Sequence, residues 1–140
     1  MPIWDEWLHR KHGNMSFHMT QLLTEHGVFY SYLNRIQRVN SDTCPHCRMN
    51  VPDTAEHTLK ICSVWERERA IMLEKIKMTS DALSLKMMTA VMINSRQEWS
   101  TVMTFIEKIM LEKEQYEHQV ERREAHENSD LTEIDSEYSN

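Results

Sequence analysis

Glycine and proline are scarce in this sequence, with two and three residues respectively among 140. A dinucleotide-binding fingerprint needs three glycines, and a P-loop needs two, the second followed by Lys and Ser or Thr, so neither motif can be assembled. Sandwiches and barrels of many strands also depend on Gly and Pro turns. No apolar run approaches the ~20 residues of a membrane-spanning helix. We therefore expect a helical protein without a membrane partner.

A signal peptide is also missing, because Asp5 and Glu6 interrupt the N-terminus before any apolar core develops. Without an export signal we expect an intracellular protein, either nuclear or cytoplasmic. In such a reducing compartment the three cysteines are interpreted as thiols or metal ligands before disulfides.

The net charge of -6 is unevenly distributed. Ten acidic residues and only three basic ones lie between Glu112 and Asn140, whereas residues 1–111 carry thirteen basic and twelve acidic ones. A nearly neutral body argues against strong non-specific duplex binding, which depends on many phosphate contacts. Local contacts to nucleic acid stay open.

Apolar periodicity predicts a mainly α fold, a small helical domain built around one zinc knuckle. Its segments are a helical pair over 1–40 that breaks near Gly27, a Cys-Cys-His-Cys knuckle over 41–63, a helical segment over 64–127 and a disordered acidic tail over 128–140. A break is expected at residues 79–81, and Ser95 with Glu98 predicts a capped helix start. From there an apolar stripe follows helical spacing: Trp99, Val102, Met103, Ile106, Ile109 and Met110.

The cysteines form the pattern Cys-x2-Cys-x9-His-x4-Cys, made by Cys44, Cys47, His57 and Cys62. Three sulfurs and one imidazole are a soft ligand set that selects zinc over magnesium or calcium. Four protein ligands fill a tetrahedron and leave no position for an activated water, so we predict one structural Zn²⁺. The alternatives are buried thiols with a surface histidine, or a redox pair at Cys44 and Cys47. His46 is expected to point away from the metal.

The spacing from His57 to Cys62 conflicts with a regular helix. Asp53 and Glu56 resemble the N-cap and the third residue of a short helix. His57 would then lie on the first turns of that helix. Five residues correspond to about 500° of rotation at ~3.6 residues per turn, so Cys62 would lie about 140° from His57. We therefore expect the helix to tighten or end just before Cys62.

No catalytic constellation is recognisable. The hydroxyl residues lack nucleophile-elbow glycines, and no spaced pair of carboxylates stands in apolar surroundings. His18 and His26 would share a helical face only if the helix continued through Gly27, and we interpret their spacing as coincidence. We expect no catalytic residues in this chain.

Two strings of residues resemble a known family. The first runs from Phe17 to Gly27 and continues with Phe29, Tyr32-Leu33 and Arg35-Ile36. The second is Asp53-Thr54-Ala55-Glu56-His57-Thr58-Leu59 with Cys62, Trp65 and Arg69. Together they resemble the C-terminal region of insect non-LTR retrotransposon polyproteins of the ribosomal-DNA-inserting type, downstream of the polymerase domain. The similarity covers about residues 4 to 124, but Glu25 stands where the family commonly has Gly, and Ser63 where it commonly has Pro.

The resemblance implies a parent polyprotein that is an RNA-directed DNA polymerase with an endonuclease, and this chain contains neither part. It implies that the chain is a non-catalytic zinc-binding module that helps the reverse transcriptase engage RNA or target DNA, beside the upstream polymerase region. The basic residues expected near the knuckle are the candidate nucleic-acid contacts: Arg35, Arg38, Arg48 and Lys60. The alternative is a zinc-stabilised protein-interaction module derived from a transposon remnant, which the near-neutral body and the acidic tail suit.

Overall fold

Helices make up most of the structure, a computed structural model that describes residues 16–138 and, beyond residue 129, the backbone alone. In this range the α-helices are α1 (Phe17–Thr24), α2 (Tyr30–Arg35), α3 (Glu66–Ile76), α4 (Leu85–Asn94) and α5 (Arg96–Tyr138). A π-helical turn, His57–Ile61, and two 3₁₀ turns, Ser63–Trp65 and Ser80–Ala82, lie between them. The described residues contain no β-strand, only one isolated antiparallel bridge. The predicted mainly α fold is confirmed.

Serine side chains begin three of the helices. Ser16, Ser84 and Ser95 each accept a hydrogen bond from the backbone N–H three residues later, at 3.0, 3.1 and 3.1 Å. Such caps satisfy N–H groups that have no partner within the helix. The predicted start of the last helix at Ser95 is confirmed. The expected break near Gly27 is also present, because α1 ends at Thr24 and Gly27 has a φ of 78°.

The hydrophobic core lies along the first half of α5. Helices α1, α3 and α4 all pack against this helix, and one continuous cluster of buried residues joins them. The predicted stripe on α5 is buried apart from Met103, which packs partly buried against the cluster. Several methionines contribute to the same core: Met19, Met72, Met88, Met92 and Met110. The helices around the knuckle therefore share a single core.

The acidic end, for which the sequence predicts a disordered tail, follows directly on the packed part of α5. The helical backbone of α5 continues through residues 128–138. Residues 121–129 are all exposed, as expected for a charge-rich segment. Residues 121–138 contain no Gly or Pro to stop a helix.

Two parts of the sequence predictions lie outside the described residues. They are positions 1–15 of the predicted helical pair and the last two residues of the tail. Among the described residues, no helix combines the length and the apolar character needed to cross a bilayer.

Candidate metal centre

The first two cysteines lie in a short hairpin-like loop between α2 and the π-helical turn. The backbone N–H of Cys44 donates to the carbonyl of Val51 at 2.8 Å, and the N–H of Asp53 donates to the carbonyl of Asp42 at 2.8 Å. Asn50 turns the loop with a φ of 57°, a left-handed conformation that Asn tolerates better than most residues. These bonds hold Cys44 and Cys47 against the segment that supplies the other ligands.

The π-helical turn brings the other two ligands together. The N–H of Cys62 donates to the carbonyl of His57 at 2.7 Å, a bond that spans five residues. An i→i+5 bond completes about one turn in five residues, so both side chains face the same direction. The helix ends before Cys62, which is one of the two predicted outcomes. The other predicted outcome was a tighter turn, and the observed turn is wider instead. The conflict between spacing and a regular helix is thereby removed.

The four ligand residues converge on one point. One ligand atom from each of Cys44, Cys47, His57 and Cys62 lies within 4.8 Å of every other. The Sγ of Cys47 lies 3.4 Å from the Nε2 of His57. The edge of a tetrahedral site is about 3.5 Å between S and N, given Zn–S and Zn–N bonds of about 2.3 and 2.0 Å. The group is therefore close enough to hold one metal ion.

The electrostatics favour a thiolate at Cys44. A hydrogen bond from the Cys62 thiol, together with the backbone N–H groups of His46 and Cys47, lowers the pKa of Cys44 to about 4 despite burial. The same hydrogen bond is the main reason why the pKa of Cys62 is raised, and burial raises it further. One thiolate and one thiol thus share a proton, and the thiolate is the form that binds metals.

Arg69 fixes the end of the π-helical turn. Its guanidinium donates to the backbone carbonyls of Leu59, Thr58 and Cys62 at 2.8, 3.1 and 2.9 Å, and the residue is buried. Carbonyls at a helix end have no partner within the helix and need another donor. Arg69 supplies donors to three of them, including the carbonyl of a metal ligand. Arg69 is one of the residues that carry the family resemblance, but the sequence did not indicate that its side chain binds these carbonyls.

Asp53 occupies a different place from the one predicted. The helix before the π turn is capped by Thr54, whose Oγ1 accepts from the N–H of His57 at 3.0 Å. Asp53 instead accepts from the N–H of Tyr30 at 3.0 Å, at the start of α2. Its other carboxylate oxygen lies 2.6 Å from the Nζ of Lys113, with both side chains fully buried. The carboxylate therefore joins α2 and α5 beside the metal centre.

Lys113 is a buried residue that was not predicted from the sequence, although its position in the apolar pattern of α5 indicates burial. Lys113 lies three residues after Met110 and four after Ile109, which continues the buried stripe of α5. A lysine at such a position is almost never fully buried unless it has a charged partner. Spacing alone could not identify that partner, because Asp53 is 60 residues away in the chain.

Glu25 connects α1 to the same centre. It ends α1 with a φ of 55° and a ψ of 37°, the left-handed conformation that usually favours glycine. Its carboxylate accepts from the N–H of Ala55 at 2.7 Å, at the start of the helical segment that carries His57. A charge-assisted hydrogen bond of this kind offsets the strain of the backbone.

His46 stays outside the ligand group, as expected, but it is not free of the fold. Its ring packs at 5.7 Å from the ring of Trp65 and at 4.9 Å from that of Tyr116 on α5. Burial, followed by the nearby Lys113, lowers the pKa of His46 to about 4. The neutral ring therefore attaches the knuckle to α5.

The candidate nucleic-acid residues differ in their exposure and in their partners. Arg35 and Arg38 are exposed at the end of α2, Arg48 is exposed in the knuckle loop, and Lys60 is half-buried on the π turn. Arg35 lies over the ring of Tyr32 at 5.5 Å. Arg38 is paired with Glu121 at 3.1 Å, so it must leave this partner before it can bind a phosphate.

Fold and site together define a small helical domain with a Cys3His metal-binding group. Comparisons with protein-family models, with curated proteins and with solved structures found no match to this chain.

Proposed function

We propose that this chain is a non-catalytic, zinc-binding module that helps a retrotransposon reverse transcriptase engage RNA or target DNA. The observation that carries the proposal is the convergence of Cys44, Cys47, His57 and Cys62 within 4.8 Å. Three sulfurs and one imidazole nitrogen suit Zn²⁺, and a closed set of four protein ligands is typical of structural sites. Zinc in this position would join the knuckle loop to the π-helical turn.

Two backbone features support the family part of the proposal. Glu25 adopts the left-handed conformation that favours the family's glycine. Ser63 is the first residue of a 3₁₀ turn, and the first turn of a helix is where proline is favoured. The preceding Cys62 has a ψ of 122°, outside the α region that a following proline disfavours. At Glu25 and at Ser63, the backbone therefore has a conformation that would also suit the Gly and the Pro that the family commonly has there.

The nucleic-acid function is tested by a salt titration with single-stranded RNA and with duplex DNA. If all four candidate basic residues contact single-strand phosphates, the logarithm of the affinity should fall with the logarithm of salt with a slope of about -3. The double variant Arg48→Ala with Lys60→Ala should halve that slope. Lys86→Ala, an exposed change on α4, serves as the matched control.

A flat salt response, or equal slopes for the double variant and the control, would contradict nucleic-acid binding at these residues. The retrotransposon origin has a separate test in the genomic reading frame upstream of Met1. Continuation of that frame into a polymerase would support the origin, and a frame closed by stop codons beside an actively expressed chain would support an independent gene.

A protein-interaction module is the second candidate, and an exposed apolar patch favours it. Met49, Ile61 and Val64 lie beside the metal centre and expose 45%, 47% and 44% of their surface. Met49 and Ile61 line a cavity of about 440 Å³ with Leu73 on α3. The double variant Met49→Ser with Ile61→Ser should weaken a protein partner while leaving the salt-dependent RNA affinity unchanged.

A further inference from the structure

His18 on α1 lies between two carboxylates of α5. Its Nδ1 is 2.6 Å from Oε2 of Glu107, and its Nε2 is 2.7 Å from Oε2 of Glu114. Residues seven positions apart share one face of a helix, so a single ring can reach both. The His18 side chain is only 17% exposed, which limits the access of water to the contacts.

The chemistry of imidazole requires a proton for this arrangement. A neutral ring has one N–H donor and one acceptor nitrogen, whereas a protonated ring donates from both nitrogens. With a neutral ring, one lone pair would face a carboxylate oxygen, and the contact would become repulsive. Both short contacts are therefore favourable only when His18 is charged.

We propose that His18, Glu107 and Glu114 form a proton-dependent latch that holds α1 on α5. Among the described residues, these two carboxylates are the charged groups that act on His18. The helix that the latch holds, α1, ends at Glu25, whose carboxylate accepts from the N–H of Ala55 ahead of His57.

The sign of the pH dependence follows from the balance at His18. Burial lowers its pKa, but the hydrogen bonds and charges of Glu107 and Glu114 outweigh burial and place the pKa above the ordinary value of 6.5. The latch therefore contributes its full stability below about pH 6.5 and loses that contribution as the pH rises through the folded-state pKa. Raising the pH should weaken the attachment of α1 to α5, which the buried side chains of Met19 and Leu22 continue to support.

The experiment compares the full chain with His18→Gln, zinc in excess, between about pH 5.5 and about pH 9, a window that brackets an ordinary histidine. The free-energy difference of unfolding between the two proteins should be largest at the acidic end and shrink steadily towards the alkaline end. Effects of metal-ligand protonation are common to both proteins and cancel in the difference. His26→Gln, whose ring packs on Tyr32, is the control and should show a smaller change.

The titration of the His18 ring by NMR in the unmodified chain needs no variant and remains valid if His18→Gln fails to fold. Its midpoint should lie above 6.5 and should move down in Glu114→Gln, which removes one of the two charges. A midpoint at or below 6.5 would overturn the latch. A stability difference between the full chain and His18→Gln that is constant across the pH range would overturn it as well.

Discussion

At the scale of single residues, the buried carboxylate of Asp53 joins three segments of the chain beside the metal centre. It accepts from Tyr30 N–H, from Lys113 and, at 3.4 Å, from the hydroxyl of Thr58. An ionised carboxylate offers about four lone-pair sites, so this set of donors satisfies most of them. Without Lys113, the buried carboxylate of Asp53 would have no oppositely charged partner. An unpaired buried charge costs far more free energy than an exposed one.

Replacing Lys113 by Met should therefore lower the free energy of unfolding by about 3–5 kcal/mol, the usual cost of breaking a buried ion pair. Lys108→Met on the same helix is the control. Lys108 pairs with Glu68 at 3.1 Å, but its side chain is 55% exposed, and such pairs contribute at most about 1 kcal/mol. Urea unfolding of both variants measures the difference. Equal losses in the two variants would show that the Asp53–Lys113 pair has no special weight.

The two histidines of the knuckle should separate metal binding from packing. His57→Ala removes a ligand, so the chain should lose its metal, whereas His57→Cys keeps four soft ligands and should retain it. His46→Ala should keep the metal and lose about 1–3 kcal/mol, because aromatic contacts and buried area with Trp65 and Tyr116 disappear. Elemental analysis and urea unfolding report the two effects separately. Loss of metal in His46→Ala with retention in His57→Ala would require a different ligand set.

At the scale of elements, the π-helical turn is the feature on which the metal group depends. An α-helical turn over the same residues would separate His57 and Cys62 by about 140°. The wider turn leaves carbonyls that need other donors, and Arg69 provides them from α3. Helix α3 therefore supports the metal centre although it supplies no ligand.

Arg69→Ala should cost about 2–4 kcal/mol, because it removes the side-chain donor of the Thr58 and Leu59 carbonyls and leaves the carbonyl of Cys62 with only the N–H of Trp65 at 3.3 Å. Metal affinity, measured by competition with a chelator, should fall in parallel. Arg69→Lys should recover only part of the loss, since an ammonium group cannot reproduce the planar fork of a guanidinium. Arg67→Ala, exposed on the same helix, is the control. A metal affinity unchanged in Arg69→Ala would contradict the supporting role of α3.

The long helix α5 should tolerate the loss of its end. A chain that stops at Glu127 should melt cooperatively at an unchanged temperature, because the removed residues 128–140 carry few apolar side chains and the helix is already exposed over 121–129. A chain that stops at Gln115 should be less stable, since it also loses Tyr116 and its contact with His46. Differential scanning calorimetry measures both. A clear loss of stability in the longer chain would show that the tail packs on the domain.

At the scale of the whole molecule, one metal ion should stabilise the centre of the domain more than its periphery. We expect one zinc per chain by elemental analysis, and structural zinc contributes on the order of 10 kcal/mol in small domains. Because α1, α3 and α4 share a core with α5, chelation should loosen residues 40 to 70 while these helices keep much of their structure. Hydrogen exchange with and without chelator measures this. Well under half an equivalent of zinc, or uniform loosening, would contradict the prediction.

Four features can be predicted from the amino-acid sequence alone: the helical class, the start of α5 at Ser95, the buried stripe on that helix and the four metal-ligand candidates. These features are local, because a helical period, a serine cap and a Cys-x2-Cys spacing are complete within a few residues. Other features are visible only in the folded structure: the turn at His57 widens, Thr54 and not Asp53 caps it, and His46 packs on Tyr116. The folded structure also revealed the partners of Lys113 and His18, which lie 60 and about 90 residues away. Such pairings depend on how the helices pack around α5, and no local pattern contains that information.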